Sequence, residues 1–94
     1  MRLIEQQMNE AITTKADQWA KDNTSVMFIP QLDQSFVYLH GNFIAFYDHI
    51  AGTVSPVLSA LAAWPTNTTK SRLRALGVNV ATRKGVTYID NVAV

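Results

Sequence analysis

Hydrophobic and polar positions in the first part of the chain follow a helical period. Ile4, Met8, Ile12 and Trp19 recur at spacings that place them on one side of a helix, and the charged and amide side chains fall mostly elsewhere. Asn23 and Thr24 mark the end of this segment. The pattern therefore predicts an amphipathic helix over residues 2–21.

The period then changes to the short β-branched and aromatic runs that are typical of strands. Residues 25–29 form the first such run. Residues 36–47 hold two further apolar runs on either side of a Gly-Asn pair at 41–42, which suits a two-residue turn with positive φ. This arrangement predicts a β-hairpin in which His40 pairs with Phe43.

Both faces of the predicted hairpin carry large side chains. One face holds four apolar residues, Val37, Leu39, Ile44 and Phe46. The other face holds mostly aromatic residues, Phe36, Tyr38, Ala45 and Tyr47. A hairpin with two apolar faces is central in its sheet, or its second face meets a helix or another subunit. A homodimer built through this hairpin is therefore one interpretation.

The second half of the chain combines an ambiguous segment with clearer signals. Residues 53–64 fit either a strand that ends at Trp64 or an alanine-rich helix that starts after Pro56. We favour a strand over part of this run, because the Pro, Thr and Asn residues that follow resemble a strand-to-helix turn. A short basic helix is predicted at about 66–76, with a threonine cap near its start and Gly77 after its end.

A second β-hairpin is predicted at the end of the chain, where residues 78–82 and 86–89 flank a basic turn. The order of elements is then α-β-β-β-(β)-α-β-β. It predicts one α+β domain over residues 1–94, in which an N-terminal helix and the short basic helix accompany an antiparallel sheet of four to six strands.

Composition narrows the class of protein. The chain has 94 residues, 48% hydrophobic and 16% charged, as expected for a folded domain, and it has no cysteine for a disulfide or a thiolate metal site. The first residues lack the apolar run of a signal peptide, and the uncharged stretch 50–65 is too short to span a bilayer. We expect a cytoplasmic protein without membrane association.

Charge is distributed unevenly along the chain. Residues 1–69 contain three Lys or Arg and six Asp or Glu, whereas residues 70–94 contain five and one. At 100° per residue, Lys70 and Arg74 share one side of the basic helix and Leu73 lies opposite, so the two cations are expected to project together into water. This asymmetry indicates an anionic partner.

The predicted nucleic-acid site combines the basic helix with the tip of the last hairpin. Its residues are Thr66, Thr68, Lys70, Ser71, Arg74, Arg83 and Lys84. Cations, hydroxyls and a helix start suit the phosphates of DNA or RNA, which backbone contacts recognise without reading sequence. The same residues also fit an ordinary solvated helix or an acidic protein surface.

The aromatic residues of the central hairpin predict a second surface. Phe36, Tyr38, Phe43 and Tyr47 fit a protein interface or a platform on which single-stranded bases stack. No basic residue lies within the hairpin, which favours packing or a protein partner. In this alternative the chain is a host-directed inhibitor that acts on a bacterial enzyme or defence complex.

No pattern in the chain is typical of an enzyme. His40 borders a tight turn, and the side chains of Asp48 and His49 diverge if that segment is extended. Two histidines without further ligands make a weak zinc site, and neither common phosphate-binding glycine loop occurs. We therefore expect a non-enzymatic binding protein without a metal or another cofactor.

Three segments in a fixed order carry a resemblance to a known family. They are Asn-Thr-Ser-Val at 23–26, Val-Tyr-Leu-His-Gly-Asn-Phe-Ile-Ala at 37–45, and Trp-Pro-Thr-Asn-Thr-Thr-Lys-Ser-Arg-Leu-Arg-Ala-Leu-Gly at 64–77. Together they resemble a family of small proteins from tailed bacteriophages and mobile elements, although Ala63 stands where that family is expected to have glycine. The resemblance implies a phage origin and action in the infected bacterial cytoplasm. It assigns no catalytic or binding residue.

Overall fold

A computed structural model describes all residues, 1–94, and contains three helices and eight strands. In chain order these are α1 (Leu3–Thr13), β1 (Gln18–Lys21), β2 (Thr24–Ile29), β3 (Gln34–Leu39), β4 (Asn42–Asp48), β5 (Thr53–Pro56), α2 (Leu58–Ala63), α3 (Asn67–Ala75), β6 (Val80–Arg83), β7 (Val86–Ile89) and β8 (Val92–Ala93). Strands β1 to β5 form one antiparallel sheet in sequential order, and β6 to β8 form a smaller one. The α+β prediction is confirmed.

The first helix is shorter than predicted. It ends at Thr13, Lys15 takes a positive φ of 53°, and residues 18–21 form strand β1 instead of helical turns. The hydroxyls of Thr13 and Thr14 donate back to carbonyls four residues earlier, which weakens a helix end. The position of Trp19 fits both the helical spacing and the alternation of a strand. Its pairing with Val26 of β2 decides in favour of the strand.

The central hairpin forms one residue out of the predicted register. Its turn is made by His40 and Gly41, with φ of 51° and 78°, and Leu39 pairs with Asn42. Glycine at the second central position suits this left-handed turn, and histidine takes the first. The expected pairing of His40 with Phe43 is therefore wrong.

A β-bulge in β4 changes which side chains reach the core. Val37 pairs with Ala45 and Tyr38 pairs with Phe43, so Ile44 is the extra residue between these pairs. As a result, both Ile44 and Ala45 are buried. Phe46 lies on the side of the sheet opposite to the one predicted.

The ambiguous run 53–64 contains both of the elements considered for it. Strand β5 ends at Pro56, and α2 begins two residues later at Leu58. The basic helix and the last hairpin form as predicted, although the first strand of the hairpin begins at Val80 and not at residue 78. Thr66 caps α3 by accepting from the Thr69 N–H at 3.1 Å, and the last hairpin is extended by the two-residue strand β8.

The core lies on one side of the five-stranded sheet. Fourteen buried apolar residues from α1, the sheet, α2, α3 and the C-terminal segment form one cluster, within which Met8, Leu61 and Leu73 are among the largest fully buried side chains. None of the three helices combines the length and apolar character needed to cross a bilayer.

A buried ion pair ties the helices to the sheet. The Arg72 Nη1 atom lies 2.8 Å from the Glu5 Oε2 atom, and both side chains are about 4% exposed. The Arg72 Nε–H donates to the Thr24 hydroxyl at 2.9 Å, and the Ser71 hydroxyl donates to Glu5 at 2.6 Å. Thr24, from the segment 23–26, and Arg72, from the segment 64–77, thus meet in the interior. Together with Glu5 they join α1, α3 and β2.

The pKa of the Glu5 carboxyl is lowered from its usual value. Burial alone would raise it, because a charged carboxylate loses its water. Hydrogen bonds from Ser71, from Arg72 and from the Arg2 backbone N–H, together with the positive charge of Arg72, outweigh the effect of burial. Glu5 is therefore held as an anion in the folded protein.

Candidate functional site

Four aromatic side chains form a contiguous group on the side of the sheet away from the core. This aromatic face consists of Phe36 and Tyr38 of β3 and Phe43 and Phe46 of β4. None of the four belongs to the core cluster or packs against it, and all are partly exposed. The face is therefore a surface feature of the folded chain.

The four rings pack against each other. The ring centroids of Phe36 and Phe43 lie 4.7 Å apart in a stacked arrangement. Phe36 and Phe46 are 6.1 Å apart, Tyr38 and Phe43 are 5.6 Å apart, and Phe43 and Phe46 are 6.3 Å apart. Mutual contact restricts the rings, so less side-chain entropy is lost when a partner binds.

The bulge in β4 creates this group. In a regular strand, Phe43 and Phe46 would point to opposite faces, because successive side chains alternate. The extra residue, Ile44, resets the alternation and brings both rings to the outer face. Tyr47, which the sequence pattern placed with them, instead packs against the core, 5.0 Å from the His49 ring. That part of the interface prediction is corrected.

The surroundings of the aromatic face are uncharged except at one end. Met27 lies opposite Phe36, Ser25 opposite Tyr38, and Ser55 opposite Phe46. At the end of β4, the Asp48 carboxylate accepts from the backbone N–H groups of residues 50 and 51 at 2.9 and 3.1 Å. The centre of the face therefore suits an apolar partner better than a phosphate backbone.

The basic residues do not form the predicted surface. Lys70 is only 7% exposed, and its ammonium donates to the Thr82 hydroxyl at 2.7 Å. Arg74 is exposed, and its Nε–H donates to the Val80 carbonyl at 2.9 Å. The two cations lie on the predicted helix, but the expectation that they project together into water is wrong, because α3 packs beside β6 and this packing covers Lys70.

The remaining predicted nucleic-acid residues have separate environments. The Thr66 side chain is occupied by the helix cap, Thr68 is half-buried, and Ser71 belongs to the Glu5 network. Arg83 and Lys84 are exposed at the β6–β7 turn, where the Arg83 guanidinium lies 4.1 Å from the centroid of the Tyr88 ring. The structure leaves the hairpin tip and Arg74 as the accessible cations of this region.

A small cleft lies between the sequence segments 37–45 and 64–77. It has a volume of about 190 Å³ and lies between the β3–β4 turn and the start of α3. Its lining consists of Leu39, His40, Asn42, Ile44, Trp64, Thr66, Thr68 and Thr69. The half-exposed Trp64 forms part of its wall. Nothing in the sequence pattern connected Trp64 with His40.

The second histidine has a structural partner that the sequence did not indicate. The His49 Nε2 atom and the Ser35 Oγ atom lie 2.7 Å apart and share a hydrogen bond. Ser35 is fully buried, so its hydroxyl is out of reach of a substrate. The Asp48 carboxylate accepts a hydrogen bond from the backbone of the turn that follows it, whereas His49 bonds to Ser35. The two adjacent residues therefore have separate roles.

The fold and the outer surface together define a small α+β protein whose central sheet has one core side and one aromatic side. The chain matches the model of the family described as Kyanoviridae Gp96 protein over residues 1–93. It therefore belongs to this family of phage proteins, and the predicted resemblance to phage proteins is confirmed at that level. Neither the curated proteins nor the solved structures contain a match.

Proposed function

We propose that this phage protein is a non-enzymatic accessory protein that binds a bacterial host protein through its aromatic face. The observation that carries the proposal is the group of four mutually packed rings on the side of the sheet that no helix covers. In this proposal the protein acts in the cytoplasm of the infected cell, needs no metal or cofactor, and inhibits or redirects a host enzyme or defence complex.

The chemistry of the face supports a protein partner. Aromatic residues and methionine are enriched at the centres of protein interfaces, where a few large side chains supply most of the binding free energy. Phe36, Phe43 and the neighbouring Met27 have this composition. Stacked single-stranded bases would also need nearby cations to bind the phosphates, and the face has none.

The proposal can be tested by comparing two surface variants of the full chain in affinity capture from host extract, with and without nuclease treatment. Phe36→Ser/Phe43→Ser should weaken binding of the captured host protein by at least tenfold, in keeping with the loss of central aromatic residues. Arg83→Glu/Lys84→Glu should leave binding unchanged. Circular dichroism and urea unfolding check that both variants fold.

Binding measurements with the purified host protein decide between the outcomes. If the aromatic variant folds and binds as well as the wild type, the aromatic face is not the interface. If the only captured partners disappear after nuclease treatment, the protein-binding proposal is overturned in favour of nucleic acid.

Contact with a nucleic-acid backbone is a second candidate, favoured by the exposed cations Arg74, Arg83 and Lys84 near β6. Thr66 and Thr68 at the start of α3 are the further residues proposed to take part. A surface with so few cations predicts weak binding to DNA or RNA with a shallow dependence on salt. Arg83→Glu/Lys84→Glu should abolish this binding, whereas Phe36→Ser/Phe43→Ser should not affect it. The reverse result would exclude this candidate.

A further inference from the structure

Strand β1 leaves one edge of the five-stranded sheet open. It pairs only with β2, and the Asp17 carbonyl accepts from the Phe28 N–H at 3.1 Å. Hydrogen bonding alternates along an antiparallel pair, so Trp19 and Lys21 also direct their backbone groups towards β2. The backbone N–H and C=O groups of Gln18 and Ala20 therefore point away from the sheet.

The opposite edge of the sheet is protected. Strand β5 ends in Pro56, which has no N–H, and the chain continues directly into α2. Strand β1 has neither proline nor a bulge, and no helix or loop pairs with its free side. Proteins usually protect such an edge, because unpaired strand groups bind another strand.

A groove runs along the free edge between α1 and β1. It has a volume of about 460 Å³, and Gln7, Ala11 and Trp19 are among the residues that line it. Gln18, Ala20 and Lys21 are exposed, so a further strand can reach the free side of β1.

We propose that the β1 edges of two copies of this chain pair antiparallel about a two-fold axis, forming one continuous ten-stranded sheet. When each Gln18 lies opposite the Ala20 of the second copy, the outward-facing backbone groups of both residues are paired in both copies. This register aligns residues 17–21 of the two copies with each other. It places Trp19 on the axis, opposite its own copy.

Charge complementarity supports a second copy as the occupant. In this register Asp17 of one chain lies opposite Lys21 of the other, and the symmetry repeats the pair on the far side of the axis. Asp17, Trp19 and Lys21 occupy non-hydrogen-bonded positions, where cross-strand side chains approach most closely. Opposite charges and paired aromatic rings at such positions stabilise a sheet. The net charge of +1 per chain gives little repulsion between copies.

Charge exchange tests the register by sedimentation velocity of the full chain over a range of concentrations. The wild type should form a dimer. Asp17→Lys and Lys21→Asp should each weaken it by about tenfold, because each turns two attractive pairs into repulsive ones. The double variant Asp17→Lys/Lys21→Asp should restore it, and Lys84→Asp, at a distant turn, should have no effect.

The second test of the register is an engineered disulfide between the two copies. The chain has no cysteine, and residues 17 and 21 are too far apart along one strand to form a disulfide within one chain. Asp17→Cys/Lys21→Cys should form a covalent dimer on oxidation, whereas Lys21→Cys alone should not. The proposal is overturned if the wild type stays monomeric, if the exchanged pair fails to restore the dimer, or if the double cysteine variant gives no cross-link. These results are independent of whether the aromatic face binds a host protein.

Discussion

The two sides of the five-stranded sheet use the same hairpin in different ways. On the core side, Leu39 and Ile44 are buried beneath the helices, and the buried Glu5–Arg72 pair is held by hydrogen bonds within the protein. On the aromatic side, the rings of Phe36 and Phe43 contact mainly each other. The contrast separates residues that the fold needs from residues that are available to a partner.

The same difference between buried and exposed side chains applies to the cations of the basic helix α3. Of its three cations, Lys70 and Arg72 are buried and bind groups within the protein, and only Arg74 is exposed. Positive charge in a sequence segment therefore does not by itself indicate a positive surface. The packing of the helix decides which charges reach the solvent.

The largest expected effect on the difference between buried and exposed cations comes from the removal of Arg72. Arg72→Leu should destabilise the protein by about 3–5 kcal/mol, because it leaves the Glu5 carboxylate buried without its ionic partner. The matched variant Arg74→Leu, two residues further along the same helix, should cost only about 1 kcal/mol, since its side chain is exposed and makes a single, partly buried bond to the Val80 carbonyl. Urea unfolding measures both. Equal losses would show that the Glu5 network is not a main support of the fold.

A pair of substitutions in the central hairpin compares the two sides of the sheet directly. Leu39→Ala should cost about 2–5 kcal/mol, because it leaves a cavity in the core. Phe43→Ala should cost only about 1 kcal/mol, from lost ring contacts on a half-exposed surface. The free energy of unfolding from denaturant titration tests the order. A larger loss for Phe43→Ala would mean that the aromatic face mainly supports the fold.

The smallest expected effect is the dependence of stability on pH. The pKa of Glu5 is lowered from its ordinary value of 4.5, so the unfolded chain binds its proton more tightly than the folded protein does. The stabilisation is fully present above the unfolded pKa, and it is lost as the pH falls through the lower pKa of the folded state.

Unfolding midpoints in urea should therefore decrease in acid more steeply for the wild type than for Glu5→Gln. The neutral glutamine keeps most of the shape of the side chain but has no carboxyl to titrate. Parallel acid profiles for the two proteins would contradict the assigned role of Glu5.

Local signals in the sequence predicted much of the secondary structure. Gly41 marked the central turn, Thr66 the start of α3 and Gly77 its end, since each acts through its own backbone or its nearest neighbours. The strand pattern of residues 25–29 was read correctly for the same reason. Errors occurred where two local patterns coincided, as at Trp19, which suits a helix and a strand equally.

The candidate site was predicted only in part. Phe36, Tyr38 and Phe43 were recognised, but Phe46 was assigned to the core side and Tyr47 to the surface. A single extra residue in β4 causes both errors, because a shift of one position moves a side chain to the other face. No composition or spacing in the hairpin marks Ile44 as the site of the bulge.

The sequence by itself determined the α+β class and the positions of most turns, because these depend on neighbours within a few residues. Tertiary structure alone decided that Arg72 binds Glu5 across 67 positions, that Lys70 is covered, and that β1 ends the sheet with free backbone groups. The physical reason is that burial and pairing depend on which distant segments come into contact. Such contacts determine which residues are left at the surface to bind a partner.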